Sequence, residues 1–380
     1  MRTQRLTYGW ASILLIVLIN FFPETCRTSQ IAGSLLRERA APQLPATPFF
    51  LFPNGDQPEN IRPRLSGQLL VTLNTSPLLY QIHPFHNQTG GIVHRFEGYT
   101  SLFGIVETQT DLFYIIASNF TGPPDYYGYE GSVSVFQVDL RGIPEPTVAQ
   151  SAVKVSKVVD IPEAQLLDGF ALVNQSAGLM MTGDAQTGTL YLINVQKRTA
   201  TAVLQDALLN GTATDPAASL AHVGINGIKF SDSDLYFTNT AKGTYGKVPL
   251  DTDTGEPAGS PSILANYGTF TDDFSFDGHG NQFISEPLNG ILLRPANTTS
   301  TNNQSRLVTR LSGANSNAFG RTALDLCILY ATFNGAPSGI ARVDAGKEGF
   351  CNTAKVEPVW HRCLQSERAS TKAARLSWCT

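Results

Sequence analysis

The chain's 380 residues are 42% hydrophobic and only 15% charged, with 33 glycines and 22 prolines, which suits many short strands and tight turns rather than long solvated helices. A net charge of −4, spread without a basic block, leaves no electrostatic footprint for nucleic acid. The length admits roughly two or three average domains, but closed β folds of this size commonly form one unit.

Arg2 and Arg5 precede an apolar run from Trp10 to Phe22, the pattern of a secretory signal peptide, assigned to residues 1–26. The run is short for a bilayer span, so no stable membrane segment is expected after its removal. Pro23-Glu24-Thr25-Cys26 lacks a small-x-small cleavage pattern, which keeps an uncleaved signal anchor as the alternative. Either route delivers the body to the secretory pathway, to be secreted or held in a lumen or vesicle. Sequons agree, at Asn74, Asn87, Asn119, Asn174, Asn210, Asn297 and Asn303. Asn74 is the weakest of these glycosylation sites because Pro77 follows it.

A lead-in over residues 27–58 is followed by one phrase that recurs from Glu59 to about Gly346, at a spacing of roughly 47 residues. The phrase is a short apolar strand, a polar turn, a very apolar strand, a loop ending in glycine and an alternating strand. It begins at Glu59-Asn60-Ile61, Leu102-Phe103-Gly104, Asp168-Gly169-Phe170, Asn226-Gly227-Ile228, Asp273-Phe274-Ser275 and Ala318-Phe319-Gly320. Units of three or four strands cannot bury their own faces, so they stack radially and close a ring. The reading is an all-β, six-bladed propeller over residues 59–347, with a β-sandwich or β-helix as the alternative. Either Thr47–Phe52 or the tail after Cys351 can supply the strand that closes the ring. Residues 348–380 form a C-terminal tail whose basic stretch from Arg368 to Arg375 reads as a solvated helix or frayed end.

With Cys26 beside the signal segment, Cys327, Cys351, Cys363 and Cys379 allow three pairings. Cys327 lies in a strand and Cys351 just after the next one, so their bridge, closing the last blade, is the first expectation. No CxxC or Cys/His spacing points to zinc.

The phrases Asn226-Gly227-Ile228 through Leu235-Tyr236-Phe237-Thr238-Asn239, Asp273 through Asp277-Gly278-His279-Gly280-Asn281, and Phe319-Gly320-Arg321 resemble the SMP-30/gluconolactonase-like superfamily of six-bladed propellers. Glu59-Asn60-Ile61 through Gly67-Gln68-Leu69-Leu70-Val71-Thr72, with the signal peptide and sequons, is similar to secreted fungal members of it. Some of those are hetero-Diels-Alderases of tropolone-sesquiterpene biosynthesis. The resemblance implies a divalent cation, usually calcium, at the channel mouth, held here by Glu59, Asn226 and Asp273. Asp168 stands where asparagine is commoner, and Phe274 follows Asp273 where glycine is commoner. A hard cation suits such oxygens; equally, the same groups can serve only to bind water and turn backbone.

Three activities follow. The first, implied by the narrower resemblance, is a cycloaddition joining a tropolone ortho-quinone methide to a humulene-type alkene, giving a dihydropyran meroterpenoid. It requires no cofactor, only an apolar cavity for small apolar substrates and a donor that polarises the oxadiene carbonyl. The long loop Phe120 to Ser132 offers Tyr126, Tyr127 and Tyr129 as a stacking wall. His222, just before the fourth inner strand, is the one histidine placed at the mouth and a catalytic candidate with Asp273. The second activity is a calcium-dependent lactone or ester hydrolase in which Asp273 also accepts a proton. The third is a ligand-binding propeller without catalysis. No Ser/His/Asp signature or nucleophile elbow is present.

Overall fold

The computed structural model describes residues 42–85, 89–143, 153–212, 220–298 and 304–352. The signal segment, Cys26, Cys363, Cys379, the sequon residues Asn87 and Asn303, and the tail from residue 353 lie outside the described residues.

Six four-stranded antiparallel sheets form the blades of a propeller. Their innermost strands are Pro58–Pro63, Ser101–Gln109, Leu167–Asn174, Ile225–Ser231, Phe274–Phe276 and Ala314–Phe319. Each packs against the next and the sixth against the first, so the ring is closed. The apolar runs are buried between neighbouring blades, as the inability of a lone blade to cover its faces requires. Phe103, Tyr114 and Ile116 meet Phe170 and Met180 between the second and third blades, and Ile61 and Tyr80 meet Tyr330 and Ile340 where the ring joins.

The join is made by the lead-in: Ala46–Leu51 pairs antiparallel with Gly339–Asp344 as the outer strand of the sixth blade. One blade is thus assembled from both ends of the ring. Cys327 and Cys351 form a disulfide with a Cα–Cα distance of 4.0 Å. Cys327 sits in the turn immediately before the strand Ile328–Phe333, not within it. The Gly278 N–H donates to the Cys351 carbonyl at 2.9 Å, tying this segment to the fifth blade as well.

The feature that positions the site is a bulge repeated at the start of the inner strands. Pairing with the second strand skips from Pro58 to Ile61, Leu102 to Ile105, Leu167 to Phe170, Ile225 to Ile228 and Ala314 to Asn317. Each inner strand there carries one residue more than its partner, which frees a side chain from the pleat and turns it to the ring axis. The next residue faces the adjacent blade at very short range. A Cβ on Gly104 would lie 2.4 Å from the Asp168 carbonyl oxygen, and one on Gly169 would lie 2.4 Å from that of Asn226. Replacing Gly169 with alanine therefore has to push two blades apart. We expect Gly169→Ala to lower stability by about 2 kcal/mol, read as a lower urea midpoint at unchanged m.

Candidate active site

The residues released by the bulges converge on one cavity of about 300 Å³ at the upper end of the channel. Glu59, Phe103, Asp168, Asn226 and Asn315 come from five blades, and Asp272, just ahead of the short strand Phe274–Phe276, completes the circle. Phe103, Phe120, Pro123, Leu166, Leu220 and Val223 supply the cavity's apolar lining, beside Asp168, Asn226 and Thr240, and Glu59, Asn74, Asp272, Asn315 and Asn334 supply further polar lining from the remaining blades.

Asp273, expected at the mouth, is turned away from it. Its carboxylate pairs with Lys229 and accepts a hydrogen bond from the Ser316 hydroxyl at 2.7 Å. It occupies the bulge position that Gly104, Gly169 and Gly227 hold in other blades, and its Oδ1 fills the space left by the absent side chain of Gly227. The residue before it is the one aimed at the axis. Lining the inner phrases up on their glycines, Phe103-Gly104, Asp168-Gly169 and Asn226-Gly227, places Asp272 in the circle, a signal present in the sequence but passed over.

Three carboxyl groups are thereby buried around one cavity. Burial pushes Glu59 up from 4.5 to about 7, with the Asp273 charge adding to the rise and hydrogen bonds from Asn315 and Asn74 opposing it. Asp168 is held well above the usual carboxylate range by burial, then by the Glu59 and Asp273 charges, with Lys229 opposing. Burial raises Asp272 likewise, reinforced by Glu59, Asp168 and Asp273. Burial of this kind favours the neutral form of a carboxyl, in which it can donate a hydrogen bond. Asn74 donates to Glu59 and is only 8% exposed, so this sequon residue belongs to the cavity and is not open to a glycan. Asn210 and Asn297 are exposed, while Asn119 and Asn174 are half-buried.

Of the three loop tyrosines, only Tyr126 lines the cavity. A short hairpin, Phe120–Thr121 against Tyr127–Gly128, turns the others outward: Tyr127 and Tyr129 pack edge-to-face at 5.3 Å, and the Tyr129 hydroxyl lies 2.8 Å from Thr121 Oγ1. The Tyr126 phenol is raised by burial and by the Asp272 and Glu59 charges, so it stays protonated. His222 does not line the cavity either. Its Nε2 lies 2.8 Å from the Tyr126 carbonyl oxygen, which engages the ring away from any substrate.

The oxygens of Glu59, Asp168, Asn226 and Asp272 are of the kind calcium prefers, and Asn226 Oδ1 is buried with no hydrogen-bond partner among the described residues. Yet among the described residues no three acidic, imidazole or thiol groups converge to metal-binding distance, and Asp273 is committed to Lys229. As placed, the set does not fit a cation. Asn74 Oδ1 and Thr240 Oγ1 are also buried without a partner there, and both residues line the cavity. These oxygens are buried acceptors left without a partner beside the cavity.

No family model matches the chain. It is 27% identical over 321 residues, covering 77% of this chain and 87% of the other, to a Phoma sp protein described as "Putative hetero-Diels-Alderase". Among solved structures, the calcium-binding protein regucalcin of Agrobacterium tumefaciens aligns over 84% of this chain and 98% of its own, with a TM-score of 0.54 at 15% identity. A luciferin-regenerating enzyme aligns over 78% and 94%, with a TM-score of 0.55 at 12% identity. The chain resembles the Phoma protein in sequence and regucalcin in fold. Among the described residues, no helix is long and apolar enough to cross a membrane.

The raised carboxyls make stability depend on pH. Below pH 4.5 Glu59 is neutral whether the chain is folded or unfolded; between 4.5 and about 7 the folded state keeps a proton that the unfolded state has lost. Stability therefore falls as pH rises through that window, by on the order of 3 kcal/mol from this group. In chelator-treated protein, Glu59→Gln should flatten the fall in melting temperature between pH 5 and 8. An unchanged slope would show that Glu59 titrates normally.

Proposed function

We propose that the cavity catalyses a hetero-Diels-Alder cycloaddition between an oxadiene and an apolar alkene. The observation that carries this reading is one cavity lined by Phe103, Phe120, Leu166 and Val223 together with the buried, upward-shifted carboxyls of Glu59, Asp168 and Asp272 and the Tyr126 phenol. The similarity to the Phoma protein supports it.

In this reading the oxadiene is a tropolone ortho-quinone methide, whose planar ring stacks on Tyr126 with its carbonyl oxygen toward the donors. The alkene, a humulene-type sesquiterpene, lies along Phe103, Phe120, Leu166 and Val223. One C–C and one C–O bond form from the π electrons of the two reactants, giving a dihydropyran, and no atom or electron is lost or gained. The phenol and a neutral Glu59 or Asp272 stabilise the negative charge that grows on the carbonyl oxygen in the transition state. Holding both partners together supplies the remaining acceleration through effective concentration. Delivery through the secretory pathway, as the leader suggests, would place this chemistry in a lumen or outside the cell.

The test is to incubate the purified protein with a quinone methide generated in place and humulene. Faster formation of a single stereoisomer than in the protein-free control is expected, and an identical rate and isomer mixture would overturn the reading. Tyr126→Phe and Asp272→Asn should each lower the rate by about 10-fold without unfolding the protein. Since no step passes through a metal, chelator should leave the rate unchanged. A rate lost with chelator and restored by calcium, together with turnover of lactones, would favour the hydrolase instead.

A further inference from the structure

We infer that His222 is a positioning residue that holds the phenol of Tyr126 over the cavity by gripping its main chain from the segment that leads into the fourth blade. This rests on the cycloaddition reading for what the phenol does, but not for where it is held.

Tyr126 has φ of +50°, in the left-handed region that a bulky side chain adopts only when its surroundings impose it. The local hairpin offers it one bond, from its own N–H to the Gly122 carbonyl at 3.2 Å. The restraint on its carbonyl comes from 96 residues away, in the 2.8 Å contact with His222 Nε2. A carbonyl oxygen can only accept, so Nε2 carries the hydrogen. Nδ1 is buried with no partner among the described residues, which leaves this single bond as the ring's polar interaction there.

The anchor is rigid where the loop is not self-sufficient. His222 is 3% exposed. Its main chain is fixed on both sides: Thr212 N–H donates to the Ala221 carbonyl at 2.7 Å and Gly224 N–H to the Ala185 carbonyl at 2.6 Å. A Cβ on Gly211 would lie 2.6 Å from the His222 carbonyl carbon, so the two segments are in direct backbone contact. A second grip comes from the third blade, where Gln186 Oε1 accepts from the Gly128 N–H at 2.5 Å and Gln186 Nε2 donates to Gln165. The Tyr126 ring itself leans on Phe120 at 6.5 Å, and Phe120 on Phe103 at 5.2 Å. Without His222 the peptide after Tyr126 is free to rotate toward negative φ, and the phenol swings off the cavity.

The experiment pairs His222→Ala with His222→Gln, whose side-chain amide can present an N–H at a similar reach. Deuterium exchange of the amides of residues 119–132 requires no substrate. It should quicken by about 10-fold or more in His222→Ala and return toward the wild-type rate in His222→Gln. In the cycloaddition assay, His222→Ala should lower kcat by about 10-fold with KM little changed. In a Tyr126→Phe background the same replacement should cost less than about 2-fold. Unaltered loop exchange in a folded His222→Ala protein overturns the positioning role whatever the protein catalyses. A full 10-fold loss persisting in the Tyr126→Phe background overturns it too, because His222 would then act by another route. A wild-type protein with no cycloaddition activity but a loop released by His222→Ala would retain the clamp and discard the reaction.

Discussion

Everything at the top of this propeller depends on one extra residue in five of the six inner strands. A regular strand alternates its side chains between the two faces of a blade, and both faces are packed against neighbours. No regular position points down the axis. The bulge breaks the alternation once in each of five blades and presents Glu59, Phe103, Asp168, Asn226 and Asn315 to a common centre. The fifth blade reaches the same result by starting its strand late, with Asp272 ahead of Phe274. The cost is paid in the next position, where the main chains of adjacent blades approach so closely that glycine is used in the second, third and fourth.

Burying carboxyls together around such a centre has two physical outcomes. Either a cation offsets them or they keep their protons. The fifth blade tips the balance by putting an aspartate in the glycine position: Asp273 draws Lys229 into an ion pair beneath the cavity. That lysine opposes the rise of Asp168 only weakly against burial and the neighbouring charges. Burial holds the carboxyls of Glu59, Asp168 and Asp272 above their usual range. A site of this kind suits a reaction in which charge develops on an oxygen without a covalent intermediate, and it makes the geometry of every donor matter.

The architecture was legible because it is written in period and repetition. Six recurring phrases gave six blades, and the apolar run Phe49-Phe50-Leu51 before the first phrase gave one of the two candidates for the closing strand. Glu59, Asp168 and Asn226, each of which opens its phrase, line the cavity. Asp273 does not; strand alternation carries no information across a bulge, and two adjacent aspartates differ only in which of them takes the glycine's place. Tyr127 and Tyr129 were grouped with Tyr126 on composition. A hairpin sends neighbouring side chains to opposite faces, and Tyr127 and Tyr129, two apart, share the face away from the cavity that Tyr126 lines. The Asn74 sequon failed for a related reason: a local motif says nothing about burial, and this asparagine is spent on Glu59.

His222 shows the limit most clearly. A lone histidine near a channel mouth invites a catalytic reading, since its ring can transfer protons near neutral pH. The contact with the Tyr126 carbonyl is between residues 96 apart in sequence, and no local pattern encodes it. The blade order does explain it. The hairpin grows from the second blade, leans across the third through Gln186 and reaches the segment that leads into the fourth. A loop that spans three blades cannot move without losing contacts to all of them. Tyr126 is therefore held from three blades, although it is built on a loop.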